Sequence, residues 1–128
     1  MEYLYAPWRT EYVKKRGDIK CVFCEISQNP NLDFEHKVLF RDDFCFIVMN
    51  KYPYNLTHFM IIPHIHIDNI ENLNSEVWLR LSELTRAGVK LLKEFGAYGI
   101  NIGMNLGVDA GVGIAEHIHM HLVPRWSR

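Results

Sequence analysis

One long segment of the chain carries apolar or small residues at intervals of three and four positions. These positions are Trp78, Leu81, Leu84, Thr85, Gly88, Leu91, Leu92 and Phe95. Such a period places them on one face of an α-helix. Ser75 can cap the start of this helix, and Gly96 can adopt the left-handed conformation that commonly ends one. The pattern therefore predicts one long helix between Ser75 and Gly96.

Shorter runs rich in β-branched and aromatic residues lie on either side of this helix. They occupy residues 38–41, 44–50, 58–62, 99–104 and 117–123. Such runs are typical of β-strands, and Asp42-Asp43 between the first two predicts a tight turn. With the helix between the third and fourth strands, the predicted fold class is α+β: a five-stranded antiparallel sheet with one long helix.

Chain length and composition limit the organisation further. A chain of 128 residues has room for one sizeable core, and residues 1–18 show no regular period. We therefore predict an N-terminal arm over residues 1–18 and a single domain over residues 19–128. The apolar runs are far shorter than the ~20 residues that span a bilayer, and the N-terminus does not resemble a signal peptide. The expected location is the cytoplasm.

Net charge narrows the classes of partner. The chain has 14 Lys and Arg against 15 Asp and Glu, which leaves a formal charge of -1. Without a basic surplus to displace counterions, broad electrostatic binding to nucleic acid or to a membrane surface is not expected. Small anionic ligands remain compatible with this composition.

The last predicted strand contains three histidines that alternate with apolar residues. His117, His119 and His121 are separated by Ile118 and Met120. Because side chains in a strand alternate between faces, this order predicts three imidazoles on one face and apolar side chains on the other. Alternating imidazoles can bind a metal, or they can act as nucleophile and proton donors.

A glycine-rich segment precedes these histidines. Gly107, Gly111 and Gly113 offer backbone N–H groups without side chains in the way, so that phosphate oxygens can approach closely. Alone, this segment is equally compatible with a plain turn. Phosphate contacts next to histidines favour phosphorus chemistry.

The segment 117–123 resembles the His-φ-His-φ-His-φ-φ signature of the histidine-triad nucleotide hydrolases and transferases, where φ is an apolar residue. Segments 40–43, 50–53 and 57–66 are similar to upstream blocks of the same family, so the resemblance covers about residues 20–126. Segments 6–9, 50–55, 101–107 and 115–117 resemble the bacterial diadenosine-polyphosphate phosphorylase-like branch.

The resemblance implies a role for each histidine. His119, the middle member of the triad, would attack the α-phosphorus of an adenosine nucleotide and form a nucleotidyl-histidine intermediate that water or inorganic phosphate resolves. Its other ring nitrogen would hold a proton against a backbone carbonyl. His121 would protonate the leaving oxygen, and His117 and His58 would belong to the same catalytic cluster.

The resemblance also implies the nucleotide contacts. Two apolar side chains would pack on adenine, one amide would hold the ribose hydroxyls, and three further positions would receive the phosphates. In that order these are Phe40 and Met49, Asn50, and Asn105, Gly111 and Gly113. Without the resemblance, core packing explains Phe40 and Met49 equally well.

Cys21 and Cys24 form a Cys-x-x-Cys pair with three interpretations: a redox pair, half of a zinc site, or an accidental spacing. We predict no strand directly before the pair and no helix start after it, so the setting of thioredoxin-like redox motifs is not expected. The resemblance implies a structural zinc ion that His66 and His117 bind together with the two cysteines. A metal-free pair of buried thiols is the alternative.

The expected function is hydrolysis or phosphorolysis of an adenosine nucleotide such as diadenosine tetraphosphate. Two other functions remain open: a nucleotide-binding module with little turnover, and a phosphoramidate hydrolase. Relatives with this motif pair as two-fold dimers, which implies a homodimer through residues 75–104 that Leu84→Glu would destabilise. The alternative is a monomer whose N-terminal arm covers the exposed sheet edge.

Overall fold

The five strands and the long helix follow one another in the order that the sequence predicts, whereas the short helices within residues 22–36 were not predicted. A computed structural model of the chain describes residues 21–49, 58–107 and 117–127. The helices are α1 (Val22–Gln28), α2 (Asp33–His36) and α3 (Ser75–Glu94), with a 3-10 turn at Pro30–Leu32. The strands are β1 (Val38–Arg41), β2 (Cys45–Met49), β3 (Phe59–Pro63), β4 (Gly99–Gly103) and β5 (Met120–Arg125). The predicted arm, residues 1–18, lies outside the described residues.

Within these ranges the strands form one five-stranded sheet. Its order is β1-β2-β3-β5-β4, and every neighbouring pair is antiparallel. The predicted α+β class, with a five-stranded antiparallel sheet and one long helix, is therefore confirmed. β2 begins at Cys45, one residue later than predicted, and β5 begins at Met120, three residues later, while the other boundaries agree within two residues.

The loop between β1 and β2 explains the later start of β2. Asp42 Oδ1 accepts hydrogen bonds from the N–H groups of Phe44 and Cys45, each at 2.8 Å. Its Oδ2 accepts a hydrogen bond from Arg80 Nε of α3 at 2.6 Å, so the loop is tied to the long helix. Burial opposes ionisation of Asp42, but the hydrogen bonds from the Cys45 N–H and from Arg80 outweigh it and lower the pKa of the carboxyl.

Helix α3 begins and ends on local signals in the sequence. Asn74, and not the predicted Ser75, caps the start, because the Asn74 side chain accepts a hydrogen bond from the Glu76 N–H. Gly96 has a φ of 98° and follows the last turn, as predicted. The N–H groups of Gly96 and Ala97 bond to the carbonyls of Lys93 and Leu92, which would otherwise lack partners.

Helix α3 covers one face of the sheet with a continuous apolar contact. Its buried residues include Leu81, Leu84 and Leu92, which pack with Ile61 and Leu122 of the sheet. Leu84 is only 8% exposed, so Leu84→Glu would place a charge in the core. As a probe of a dimer, Leu84→Glu would therefore also disturb the fold of the single chain.

The crossing point of α3 over the sheet requires a glycine. A Cβ added to Gly88 would lie 2.6 Å from Cδ2 of Leu122 and 3.1 Å from Cε2 of Phe59. Both partner residues are buried and have little room to move. Glycine therefore allows the helix backbone to approach β3 and β5 closely.

Helix α1 lies against the opposite face of the sheet. Phe23 and Ile26 pack there with Phe46, Val48 and Met60. Close packing on this second face holds the segment that contains Cys21 and Cys24.

Arg41 of β1 fixes the end of α1 on the sheet. Its guanidinium donates to the carbonyls of Ile26 and Ser27 and pairs with Asp33 at 2.6 Å. These bonds satisfy carbonyls at the helix end that have no partner within the helix.

None of the helices in the described part of the chain is long and apolar enough to cross a membrane.

We predict that Asp42→Asn lowers the free energy of unfolding by about 1 kcal/mol at pH 7, because it removes the charged partner of Arg80. The pKa of Asp42 is lower in the folded chain than in the unfolded one. Its contribution is therefore fully present above the unfolded pKa of about 3.9 and is lost as the pH falls through the folded pKa.

Urea unfolding of both chains at pH 7 and at low pH measures this difference. Asp43→Asn is the matched control, since Asp43 is the exposed neighbour in the same loop. An Asp42→Asn deficit that stays constant down to pH 2, or an equal deficit for Asp43→Asn, would contradict the prediction.

Candidate active site and metal cluster

The histidines occupy the face of the sheet that α1 covers. His121 of β5 pairs with Met60 of β3, which packs beneath α1, whereas the next residue, Leu122, packs beneath α3. The predicted alternation between His121 and Leu122 is therefore present. His58, His117, His119 and His121 are all buried, with His119 only 1% exposed.

His117 and His119 precede β5 and are not part of it. The N–H of Ile118, between them, donates to the carbonyl of Ile67 at 2.9 Å. The segment after β3 therefore takes the hydrogen bond that a neighbouring strand would otherwise take. The prediction of a strand from residue 117 was wrong for this reason, although the imidazoles still cluster.

The ring of His119 is held in one orientation by its own backbone. Nδ1 of His119 lies 2.9 Å from the carbonyl oxygen of His117, so Nδ1–H donates and Nε2 carries the lone pair. Burial lowers the pKa of His119 to about 4, although the hydrogen bond to His117 opposes the shift. The ring is therefore neutral at pH 7, as a nucleophile must be.

His121 and His58 extend the cluster. Nδ1 of His121 lies 3.4 Å from Nε2 of His58, and the rings of His119 and His121 are 4.8 Å apart between centroids. Burial, with the neighbouring His119 and His58 adding to it, lowers the pKa of His121 to about 2. Burial also lowers the pKa of His58 to about 4, and its buried Nδ1 has no hydrogen-bond partner among the described residues.

His117 points away from these rings towards the cysteine pair. Its Nε2–H donates to the carbonyl of Pro63 at 2.8 Å. Its Nδ1 lies 3.3 Å from Sγ of Cys21 and 3.6 Å from Sγ of Cys24. Both ring nitrogens of His117 therefore have partners away from His119, and the His117 carbonyl contacts the ring of His119.

Cys21, Cys24, His66 and His117 form a group that fits a metal ion. Their four ligand atoms lie within 4.8 Å of one another, and Nδ1 of His66 is 3.1 Å from Sγ of Cys24. Two thiols and two imidazoles are a common donor set for tetrahedral zinc, whose ligand atoms stand ~3.3–3.8 Å apart. The bond from His117 Nε2–H to Pro63 leaves Nδ1 as the coordinating nitrogen.

The thiols of Cys21 and Cys45 are not activated in this structure. Burial raises the pKa of Cys21 to about 12, and it raises the pKa of Cys45 to about 12 as well. Reactive redox cysteines have the opposite shift. Cys45 lies in the apolar core beneath α3, away from the cluster.

Two predicted nucleotide contacts are not brought to the histidines. Phe40 pairs with Ile47 and lies 5.9 Å from the Arg80 guanidinium of α3, and Met49 pairs with Phe59. Ile47 and Phe59 pack beneath α3, which places Phe40 and Met49 on the other face of the sheet.

Of the remaining predicted contacts, Asn105 is described. It follows β4 two residues after Gly103, which pairs with His121. Asn50, Gly111 and Gly113 lie outside the described residues.

The sequence analysis missed Phe23. Its ring lies 4.9 Å from that of His119 and 5.6 Å from that of His117, between centroids. The available signal was the position of Phe23 between Cys21 and Cys24, because a large apolar residue between two metal ligands must be buried close to the metal site. His64, in contrast, bonds to Ser27 and to the Asp42 carbonyl, outside both clusters.

Comparison with known proteins adds to these observations. The profile of the HIT domain matches residues 31–128. AP-4-A phosphorylase of Mycobacterium tuberculosis is 33% identical over 137 residues, which cover 99% of this chain and 69% of that protein.

Solved structures resemble the chain as well. A HIT family protein from Bacillus anthracis superposes with a TM-score of 0.73 at 25% identity, over 85% of this chain and 75% of that one. A zinc-bound histidine triad family protein from Mycobacterium smegmatis has a TM-score of 0.70 at 26% identity, over 84% and 76% of the two chains.

Proposed function

The chain belongs to the HIT family of nucleotide hydrolases and transferases, and from that premise we propose that it is a cytoplasmic enzyme that transfers an adenylyl group by way of His119. The proposed substrate is a dinucleoside polyphosphate such as diadenosine tetraphosphate. The observation that carries the proposal is the 2.9 Å hydrogen bond between His119 Nδ1 and the His117 carbonyl, because it directs the lone pair to Nε2.

In the first step, Nε2 of His119 attacks the α-phosphorus and the bond from phosphorus to the bridging oxygen breaks. His121 donates a proton to that oxygen as the nucleoside polyphosphate leaves. A bound polyphosphate favours the imidazolium form, so its charge offsets the burial that lowers the pKa of His121 in the free protein. In the second step, water or inorganic phosphate attacks the adenylyl-histidine and releases AMP or ADP.

The remaining residues bind and orient. We propose that Asn50 holds the ribose and that Asn105, Gly111 and Gly113 contact the phosphates. Phe40 and Met49 are not included, since they lie on the other face of the sheet. His58 supports His121 through the 3.4 Å contact between their rings. His117 acts through its carbonyl, because its ring nitrogens have other partners.

We predict that His119→Ala abolishes formation of the adenylyl-enzyme and lowers turnover by a factor of at least about 10³. The enzyme is incubated with diadenosine tetraphosphate, quenched in seconds and analysed by intact mass. His36→Ala is the matched control, a half-buried histidine outside the site. Turnover of a folded His119→Ala chain at the parent rate would exclude the covalent mechanism.

The same assay distinguishes the alternatives. With phosphate present, ADP indicates a phosphorylase and AMP indicates a hydrolase. AMP binding without any adduct or turnover would indicate the nucleotide-binding module, and faster cleavage of an adenosine phosphoramidate than of diadenosine tetraphosphate would indicate the phosphoramidate hydrolase.

We further propose that Cys21, Cys24, His66 and His117 bind a structural zinc ion. When bound, zinc would connect α1 to the segments before β5 and after β3 through coordination bonds. Support comes from the convergence of the four ligand atoms and from the zinc that the Mycobacterium smegmatis relative binds.

We predict that Cys21→Ser lowers zinc content well below one ion per chain and lowers the melting temperature by about 5 °C or more. Metal analysis of protein purified without chelator, together with calorimetry, measures both. Cys45→Ala is the control: it also destabilises the core, since Cys45 is fully buried, but it leaves zinc content unchanged. Absence of zinc from the unaltered chain would contradict the proposal.

The expected homodimer remains a proposal, and the structure supplies a better variant to test it. β4 is an edge strand, and Ile102 on it is 53% exposed beside a groove of ≈ 580 Å³ that α3 residues line. An exposed apolar edge of this kind favours pairing with a second copy.

We predict that Ile102→Lys converts a dimer of twice the 15.1 kDa chain mass to monomer at micromolar concentration, measured by light scattering. Leu39→Lys is the matched control, since Leu39 is 54% exposed on β1, the opposite edge strand. A monomeric parent chain, or equal dissociation by both variants, would exclude an interface at β4.

A further inference from the structure

One peptide unit connects the metal cluster to the proposed nucleophile. The carbonyl of His117 accepts the Nδ1–H of His119 at 2.9 Å. The N–H of the same peptide, which belongs to Ile118, donates to the carbonyl of Ile67 at 2.9 Å. Ile67 directly follows His66, a member of the metal cluster. Both polar groups of this peptide are therefore fixed, and its N–H is fixed by a residue next to a ligand.

The side chain of His117 holds the peptide from the other end. Its Nε2–H bonds to the Pro63 carbonyl at the end of β3, and its Nδ1 is directed at the sulfurs of Cys21 and Cys24. A buried ring with both nitrogens engaged cannot rotate freely. Because ring and carbonyl belong to one residue, a displacement of the ring also tilts the carbonyl that sets the tautomer of His119.

We propose that His117 is a positioning residue that couples metal occupancy to the orientation of His119. A metal at Nδ1 fixes the ring, the ring fixes the peptide, and the peptide carbonyl keeps the proton of His119 on Nδ1. Without the metal, Nδ1 of His117 has only thiol contacts of 3.3 and 3.6 Å, which are weak hydrogen bonds, and the bond from Nε2–H to Pro63 alone holds the ring firmly. The inference rests on the proposed roles of His119 and of zinc, and it adds regulation of the nucleophile by the metal.

Packing supports the same coupling. Phe23 lies between the two cysteines, and its ring contacts the rings of both His117 and His119. A metal that binds Cys21 and Cys24 therefore also fixes the Phe23 ring, which packs against His119. The two routes, through the peptide and through Phe23, connect the same cluster to the same ring.

The test uses the full chain loaded with Zn²⁺, the variant His66→Asn and the control His36→Asn. His66 is the exposed member of the cluster, so its loss is the mildest way to remove a ligand. Long-range ¹H–¹⁵N spectra of the imidazoles report the tautomer of His119, and rapid quench reports the rate of adenylation alongside the affinity for AMP.

We expect His66→Asn to lose zinc, to show His119 as a mixture of tautomers, and to adenylate about tenfold more slowly or worse, with little change in AMP affinity. Chelation of the parent chain should give the same result, and added Zn²⁺ should reverse it in the parent only. His36→Asn should match the parent in every measurement. A folded, zinc-free chain in which His119 stays entirely in the Nδ1–H tautomer would overturn the inference.

Metal exchange provides a second test if His66→Asn does not fold. In the intact cluster, the larger Cd²⁺ should shift the ¹⁵N resonances of His119 and leave those of His36 in place, and His66→Cys should retain both Zn²⁺ and the parent tautomer. An unchanged His119 resonance would overturn the coupling. The tautomer can be measured without turnover. If the tautomer depends on the metal but no adenylyl-enzyme forms, the proposed function is disproved and this inference stands.

Discussion

Buried imidazoles must find hydrogen-bond partners, and this requirement organises the functional face of the molecule. Polar rings taken out of water cost free energy unless their nitrogens are paired. His119 is paired by the carbonyl of His117, His117 by that of Pro63, and His121 by His58. The two bonds to carbonyl oxygens also determine which ring nitrogen of His119 and of His117 carries the lone pair. The hydrogen bond that makes burial of His119 tolerable is therefore also the one that leaves a lone pair on its Nε2, as the proposed nucleophile requires.

The two faces of the sheet differ in the side chains that they bury. Beneath α3 the contacts are apolar, and Gly88 lets the helix approach until little space remains. Beneath α1 the histidines lie beside a second apolar cluster, and polar bonds from Arg41 also hold the helix in place. Because the apolar face supplies a core of its own, the other face can accommodate buried polar rings that would be too costly in a domain with only one layer of contacts.

Structural features that repeat with a short period along the chain were predictable from the sequence. Features that depend on the register between strands were not. Helix α3 and the alternation of His121 with Leu122 follow from periods of 3.6 and 2, so both were found. The pairing between β1 and β2 shifts between Val38 and Phe40, and such an irregularity leaves no period to detect. The face on which Phe40 lies was therefore not predictable from the sequence. Likewise, the start of β5 depends on Ile67, which is 51 positions away from Ile118 along the chain.

The cysteine pair shows how burial separates interpretations that spacing cannot. A Cys-x-x-Cys motif is compatible with redox chemistry, which needs thiols of low pKa, or with a metal, which deprotonates thiols by direct coordination. Here burial raises the pKa of Cys21, and two imidazoles from distant segments meet the sulfurs. A buried thiol of high pKa is a poor redox group, yet a cation bound to it offsets the cost of its charge. The surroundings of the pair therefore favour a metal over a disulfide.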